Sequence, residues 1–334
     1  MAITGGGTEQ NPWLIHSYDE LKTITTDTFG GYSPSAANTT KYIKLDNDIN
    51  CNDYGETFEW ETITLGNYSH YTGCRYVFDL GGYAIKNVKV KAANKMFVFG
   101  GAISGGENVH ATLRNGKILN VFLTGAVGLV SGYVDMSNIS ISINGTDATG
   151  IIFENIQDGN IIQDCAIYFE TAKLNNGLFM AQYHYGDYDF LKNCDIELDI
   201  ANMNGKPIIG RSGFNGKIPS CESLRFTGQI SGRPTPYRLY NGKQYFALLS
   251  PGSVTNLKSS CISVDFSNVN LGGTEEYLFD SITGGTLTGT VVNKSIGSPQ
   301  WTGRTDSYLV TDEGVINGNA LRASGFTVVN VVGD

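Results

Sequence analysis

A ten-residue pattern recurs along most of this chain, and it restricts the folds open to the chain more than any other feature does. One copy is Ile161-Ile-Gln-Asp-Cys-Ala-Ile-Tyr-Phe-Glu170, the next is Phe190-Leu-Lys-Asn-Cys-Asp-Ile-Glu-Leu-Asp199, and a later one is Asn256-Leu-Lys-Ser-Ser-Cys-Ile-Ser-Val-Asp265. Upstream, Val134-Asp-Met-Ser-Asn-Ile-Ser-Ile141 and Ala84-Ile-Lys-Asn-Val-Lys-Val90 follow the same plan. Each begins with a small or amide residue and continues as an apolar–polar–apolar alternation. That alternation is the period-2 signature of a strand with one buried face. Aligned on the first apolar residue, the copies fall at Val88, Ile139, Ile167, Ile196, Leu224 and Ile262, with Ile118 or Val121 between the first two.

A short apolar run fills each interval: Met96–Phe99, Val127–Val130, Gly150–Phe153, Gly177–Met180, Pro207–Ile209, Phe246–Leu249 and Tyr277–Phe279. One unit is therefore an alternating strand, a turn rich in Gly, Asn or Asp, an apolar strand and a loop of variable length. Repeats of about 20–50 residues specify solenoids or arrays, because no unit can bury its apolar face alone. With no helix-length amphipathic pattern between the strands, the expected fold is all-β: a right-handed single-stranded parallel β-helix, with short capping helices near both termini. The expected organisation is an N-terminal cap over residues 1–40, the β-helix over 41–300 and a C-terminal strand–helix–strand cap over 301–334.

Composition agrees with this expectation. The 334 residues include 42 Gly, only 8 Pro and 41% hydrophobic residues, which suits many tight turns around a real core and argues against disorder. The net charge of -9 argues against nucleic acid as a partner. No run is long and apolar enough to span a bilayer, and the N-terminal residues lack the basic and apolar segments of a secretory signal. Six cysteines form no CxxC pair. Cys165 and Cys194 hold equivalent places in neighbouring units and are expected to stack as free core thiols. No cofactor or metal is expected, since zinc-type ligand spacings are absent.

The termini carry further signals. Ser17 and Glu20 form a capping box ahead of a short helix, roughly Tyr18 to Thr25, expected to cover the open end of the stack. Residues 28–40 read as a loop. At the other end Thr311 suits an N-cap and Gly325 a C′ position around a second short helix. The opening G-T-x-x-N-P-W-x-I, the short helix, the strand around Leu45-Asp-Asn-Asp-Ile49 and Phe78-Asp-Leu-Gly-Gly-Tyr-Ala-Ile-Lys-Asn-Val88 resemble the start of pectate-lyase-like right-handed β-helix proteins. The stretch Asp306–Phe326 is similar to the endings of phage β-helix proteins.

That resemblance implies a virion protein, a tail or head appendage assembled in the host cytoplasm with other virion proteins. It also implies a homo-oligomer, a trimer in the phage examples. The expected function is non-enzymatic: structural support and adhesion to host surface glycans or to other virion proteins. Insertions in a solenoid cluster where binding happens. Two loops break the regular unit length, and they supply the candidate binding residues: Tyr183, His184, Tyr185 and Tyr188 in the first, Arg233, Tyr237, Arg238, Tyr240 and Tyr245 in the second. Solvated loops with tyrosines lying on the wall are the competing account.

Two other functions fit the same fold. A polysaccharide depolymerase needs two carboxylates on one face, and the candidates are Asp187, Asp195 and Asp199. Asp195, Glu197 and Asp199 share a strand face by their period-2 spacing, as residues of any exposed sheet face also do. No clustered Asp adjoins an Arg as a calcium-dependent lyase would need, the four histidines are scattered, and no nucleophile-elbow, phosphate-loop or zinc motif appears. A bacterial surface binding module is the third reading.

Overall fold

The computed structural model describes residues 3–24, 40–65, 75–99, 102–104, 107–109, 111–125, 128–132, 134–147, 152–155, 161–171, 173–174, 179–181, 191–203, 217–218, 221–222, 224–232, 238–240, 243–254, 257–269, 275–282, 285–289, 291–292 and 327–331; beyond Ser231 the description is of strands and their register. These residues are mostly parallel β-sheet with few helices. Seven strands carry the central ladder: β1 (Ala84–Val90), β2 (Ala111–Thr124), β3 (Val134–Asp147), β4 (Ala166–Thr171), β5 (Asp195–Ile200), β6 (Arg225–Gly232) and β7 (Leu257–Val269). Each pairs in parallel with the next. Four of the apolar runs join Ile63–Leu65 in a second parallel sheet, Ile63–Leu65, Lys95–Phe99, Gly128–Gly132, Phe153–Asn155 and Phe179–Ala181 in spatial order, whereas the runs at Phe246–Leu249 and Tyr277–Phe279 pair with each other in a separate sheet. The run at Pro207–Ile209 lies outside the described residues.

Parallel stacking sets equivalent residues of successive units on top of one another. In β5, Ile196, Leu198 and Ile200 are buried while Asp195 and Glu197 are exposed. The same alternation in β4 buries Ile167, Phe169 and Thr171. One row in register runs Ile85–Ile118–Ile141–Ile167–Ile196–Phe226–Ile262, and its members from Ile85 to Ile196 are buried. Three of the aligned positions therefore differ from the sequence alignment: the row takes Ile85, Ile141 and Phe226, not Val88, Ile139 and Leu224. Ile139 and Ile141, like Leu224 and Phe226, lie two residues apart, and a slip of two keeps every side chain on its face, so periodicity alone does not choose between registers; Ile85 and Val88 lie three apart, on either side of the left-handed Asn87. Val88 instead pairs with Val121, and Ile139 with Gly116.

Register is pinned at the corners. Asn87, Asn115, Asn120, Asn138, Asp164 and Asn193 all hold φ between 50° and 59°, a left-handed conformation that Asn and Asp tolerate better than other side-chain-bearing residues. Their side chains bond from unit to unit. Asn138 donates to Asn115 Oδ1 at 3.2 Å, Asn115 to Asp79 Oδ2 at 3.0 Å, Asn120 to Asn87 Oδ1 at 3.2 Å and Asn87 to Asn50 Oδ1 at 2.8 Å. The small or amide residue that opens each repeat is this corner.

A single apolar cluster runs from Ile15 to Ile230. Each fully buried Ile, Leu or Phe in it contributes roughly 1.5–3 kcal/mol of transfer free energy. Its N-terminal part is rich in aromatics: Trp60 packs on Phe97 at 5.7 Å between centroids, Phe97 on Phe78 at 5.9 Å, and the indole N–H donates to the Met96 carbonyl at 3.0 Å.

The helix spans Tyr18–Thr23, two residues shorter than expected, with Ser17 accepting from the Glu20 N–H. The Glu20 Oε2 accepts from the His16 backbone N–H at 2.7 Å and lies 3.0 Å from His16 Nδ1. Tyr18 and Leu21 are buried, and the Tyr18 ring packs edge-on against Phe58 and tilted against Trp60. The expected loop over 28–40 lies outside the described residues except for Thr40, which opens the strand Thr40–Leu45. The expected C-terminal helix also lies outside them.

Cys165 and Cys194 are buried free thiols in neighbouring units, and the Asp195 N–H donates to the Cys165 carbonyl at 2.9 Å. The hydrogen bond with Cys194 and burial push the Cys165 thiol up, well above the ordinary thiol range. Among the described residues no helix is long and apolar enough to cross a membrane.

Candidate functional site

The polar positions of β2–β6 face away from the core, so parallel pairing turns them into rows. One row runs Lys89–Phe122–Asn144–Glu170–Asp199–Gln229–Asp265, one residue per strand. Neighbours in it are separated by the strand spacing, about 4.8 Å. A second row runs Ser142–Tyr168–Glu197–Thr227 and a third Lys117–Ser140–Ala166–Asp195–Arg225.

The first row borders a cleft of about 420 Å³ lined by Phe122, Asn144, Gly145, Glu170, Thr171, Asp199 and Ala201. Phe122 is 41% exposed, and among the described residues it is the one large hydrophobic side chain on the surface. Its own strand explains the placement: Val121 and Leu123 on either side are fully buried, so alternation sends Phe122 outward.

The polar groups around the cleft are held in place. The Tyr168 hydroxyl donates to Glu170 Oε2 at 3.1 Å, and Gln229 Nε2 donates to Asp199 Oδ1 at 2.9 Å. Partial burial, the bond to Glu170 and the surrounding carboxylates of Glu170, Asp199 and Glu197 all push the Tyr168 phenol pKa up. Arg225 sits on Asp195, with its Nη1 at 2.8 and 3.1 Å from the two carboxylate oxygens. Among the described residues no lysine or arginine pairs with Glu170, Glu197 or Asp199. The nearest cation of the row, Lys89, donates its ammonium to the Glu56 carbonyl at 2.8 Å.

An exposed aromatic face beside oriented amides and carboxylates can do two things. It can stack on the apolar face of a sugar ring while the polar groups hydrogen-bond the ring substituents. The adjacent pair Glu170 and Asp199 also supplies two carboxylates on one face. Among the described residues no group of three or more His, Cys, Asp or Glu side chains gathers as a metal site.

Of the residues singled out in the sequence, Asp195 and Asp199 share β5 but have different surroundings: Asp195 is ion-paired to Arg225 away from the cleft, and Asp199 lines it. Asp187, Tyr183, His184, Tyr185, Tyr188, Arg233 and Tyr237 lie outside the described residues. Arg238, Tyr240 and Tyr245 fall on an antiparallel pair, Arg238–Tyr240 against Lys243–Val254, where Arg238 stands opposite Tyr245 and Tyr240 opposite Lys243. Period-2 alternation puts these four positions on one face of that pair.

Phe122, Asn144, Tyr168 and Glu170 were not anticipated. Their signal was present for the carboxylates: Glu170, Asp199 and Asp265 each occupy the tenth place of a repeat copy, and in-register stacking turns that shared place into a row. Phe122 had no such mark, since an aromatic in an apolar-rich strand reads as core.

Comparison with protein-family models, with curated proteins and with solved structures finds no match to this chain.

Proposed function

We propose that the stacked units close into a right-handed parallel β-helix, and that this rod is a non-enzymatic adhesion protein of a phage particle that binds host surface glycan. The observation that carries the binding reading is the exposed Phe122 beside Asn144, Glu170 and Asp199 along one cleft. The register of the parallel strands and the single continuous core support the β-helix. The phage assignment rests on the resemblance of the terminal motifs. A rigid stack presenting rows of like positions suits a repeating polymer, because each strand adds one more contact at a fixed interval.

The test is sedimentation of the protein with purified host surface polysaccharide, using the wild type and Phe122→Ala. The expected result is co-sedimentation that the substitution weakens at least tenfold with unchanged folding. Equal binding by both proteins overturns the site. Antibody labelling of purified particles tests the virion assignment, and particles without label overturn it.

The side-by-side Glu170 and Asp199 favour a second reading, a polysaccharide depolymerase of the same fold. In this reading Asp199 lines the cleft as a candidate for the chemistry, while Asp195 is ion-paired with Arg225. Release of new reducing ends from the same polysaccharide, abolished by Asp199→Asn, would establish cleavage in place of adhesion.

A further inference from the structure

We infer that the cleft beside Phe122 takes a glycan carrying free amino groups, and discriminates against uronic-acid and other anionic polymers. This deepens the adhesion reading and rests on it. The argument is charge complementarity around a single apolar platform. Phe122 offers a ring face for any sugar. What borders it is acidic: Glu170 and Asp199 line the cleft, and Glu197 stands in the adjoining row of the same sheet face.

These carboxylates are oriented but not neutralised. Tyr168 and Gln229 bond one oxygen each of Glu170 and Asp199, through neutral donors that fix direction without cancelling charge. Arg225 is ion-paired with Asp195 in a different row, and Lys89, held by the Glu56 carbonyl, is separated from Glu170 in the row by Phe122 and Asn144. Beyond Gln229 the register places Asp265 next in the row. A carboxylate-bearing polymer laid along this row would meet like charges at successive strands. A polymer with protonated amines would meet charge-assisted acceptors at the same interval. The net charge of -9 for the whole chain adds long-range attraction of the same sign.

The experiment compares three oligosaccharides of equal length by calorimetry with the full chain at low salt and mildly acidic pH: a glucosamine oligomer, its N-acetylated counterpart and a galacturonate oligomer. The expected result is that the glucosamine oligomer binds about tenfold more tightly than the acetylated one, with an advantage that shrinks as salt is added. The galacturonate oligomer does not bind. The double variant Glu170→Gln, Asp199→Asn keeps both neutral hydrogen bonds and should erase the difference between the amine and acetylated forms, whereas Phe122→Ala should weaken both. Equal affinity for the first two oligomers, or a preference for galacturonate, sensitive in either case to Phe122→Ala, overturns the amine inference and leaves glycan adhesion standing. If none of the three binds, and host polysaccharide does not bind either, both fall together.

Discussion

Asn193 donates its side-chain amide to the Asp164 carboxylate of the preceding unit at 2.6 Å, and both residues hold a left-handed backbone, with φ of 50° and 53°. The corner conformation and the unit-to-unit bond thus reside in the same two side chains. Asn193→Ala removes the bond and places an unfavourable residue in the left-handed region, so it should cost about 2–3 kcal/mol. Asn193→Gly removes the bond but relieves the backbone, and should cost about 1 kcal/mol or less. Urea unfolding midpoints of the two variants check the order, and a Gly variant as destabilised as the Ala variant would refute the backbone share.

Glycines give a sharper contrast. Gly132 holds φ of 116°, and a Cβ there would sit 1.9 Å from the Phe99 carbonyl oxygen of the neighbouring strand. Gly82 holds φ of 86° with nothing within 4 Å of such a Cβ. Gly82→Ala should therefore cost only the backbone strain, about 1–2 kcal/mol. Gly132→Ala adds a backbone collision that only a shift between paired strands can relieve. Its thermal midpoint should fall well below that of Gly82→Ala.

Glu20 ties stability to pH. Burial raises its pKa, but the hydrogen bonds from the His16 backbone and ring outweigh burial and hold the carboxyl below the ordinary glutamate range. A folded-state pKa below the unfolded one means the contribution is fully present above the unfolded value and is lost as pH falls through the folded one. Glu20→Gln should cost about 1–2 kcal/mol near neutral pH. The gap to the wild type should narrow as the solution is acidified through the carboxylate range. Denaturant titrations of both proteins across that range provide the check, and a gap independent of pH would contradict it.

The stacked thiols should be chemically silent in the folded protein. Cys165 and Cys194 are each 2% exposed, which keeps a reagent from both; the hydrogen bond with Cys194 and burial push the Cys165 thiol up, while the same bond holds the Cys194 thiol down, so the silence of Cys194 rests on burial alone. Only a thiolate attacks an alkylating reagent. Iodoacetamide followed by peptide mass spectrometry should leave both unmodified under native conditions and alkylate both in urea. Native labelling of either would show that the stack opens there.

The repeat, the alternating strand faces, the amide corners and the N-terminal helix were all legible in the chain, because each is a local property. Alternation follows from the two-residue period of a strand, and the corner from the tolerance of Asn and Asp for a left-handed backbone. Stacking of Cys165 under Cys194 was legible for the same reason, since equivalent places in successive units meet when strands run parallel. Register was not legible. Ile139 and Ile141 satisfy the same pattern, and only pairing across units selects Ile141 to stand on Ile167. The site depends on that choice. Glu170 meets Asp199, and Phe122 meets Asn144, because the strands align in one register out of several that bury the same faces. Which carboxylate is neutralised was likewise decided between strands: Asp195 and Asp199 look alike in sequence, and Arg225 on the next strand lies against only the first of them. Tertiary pairing joins residues about thirty apart, and no local preference in the chain records which of them will touch.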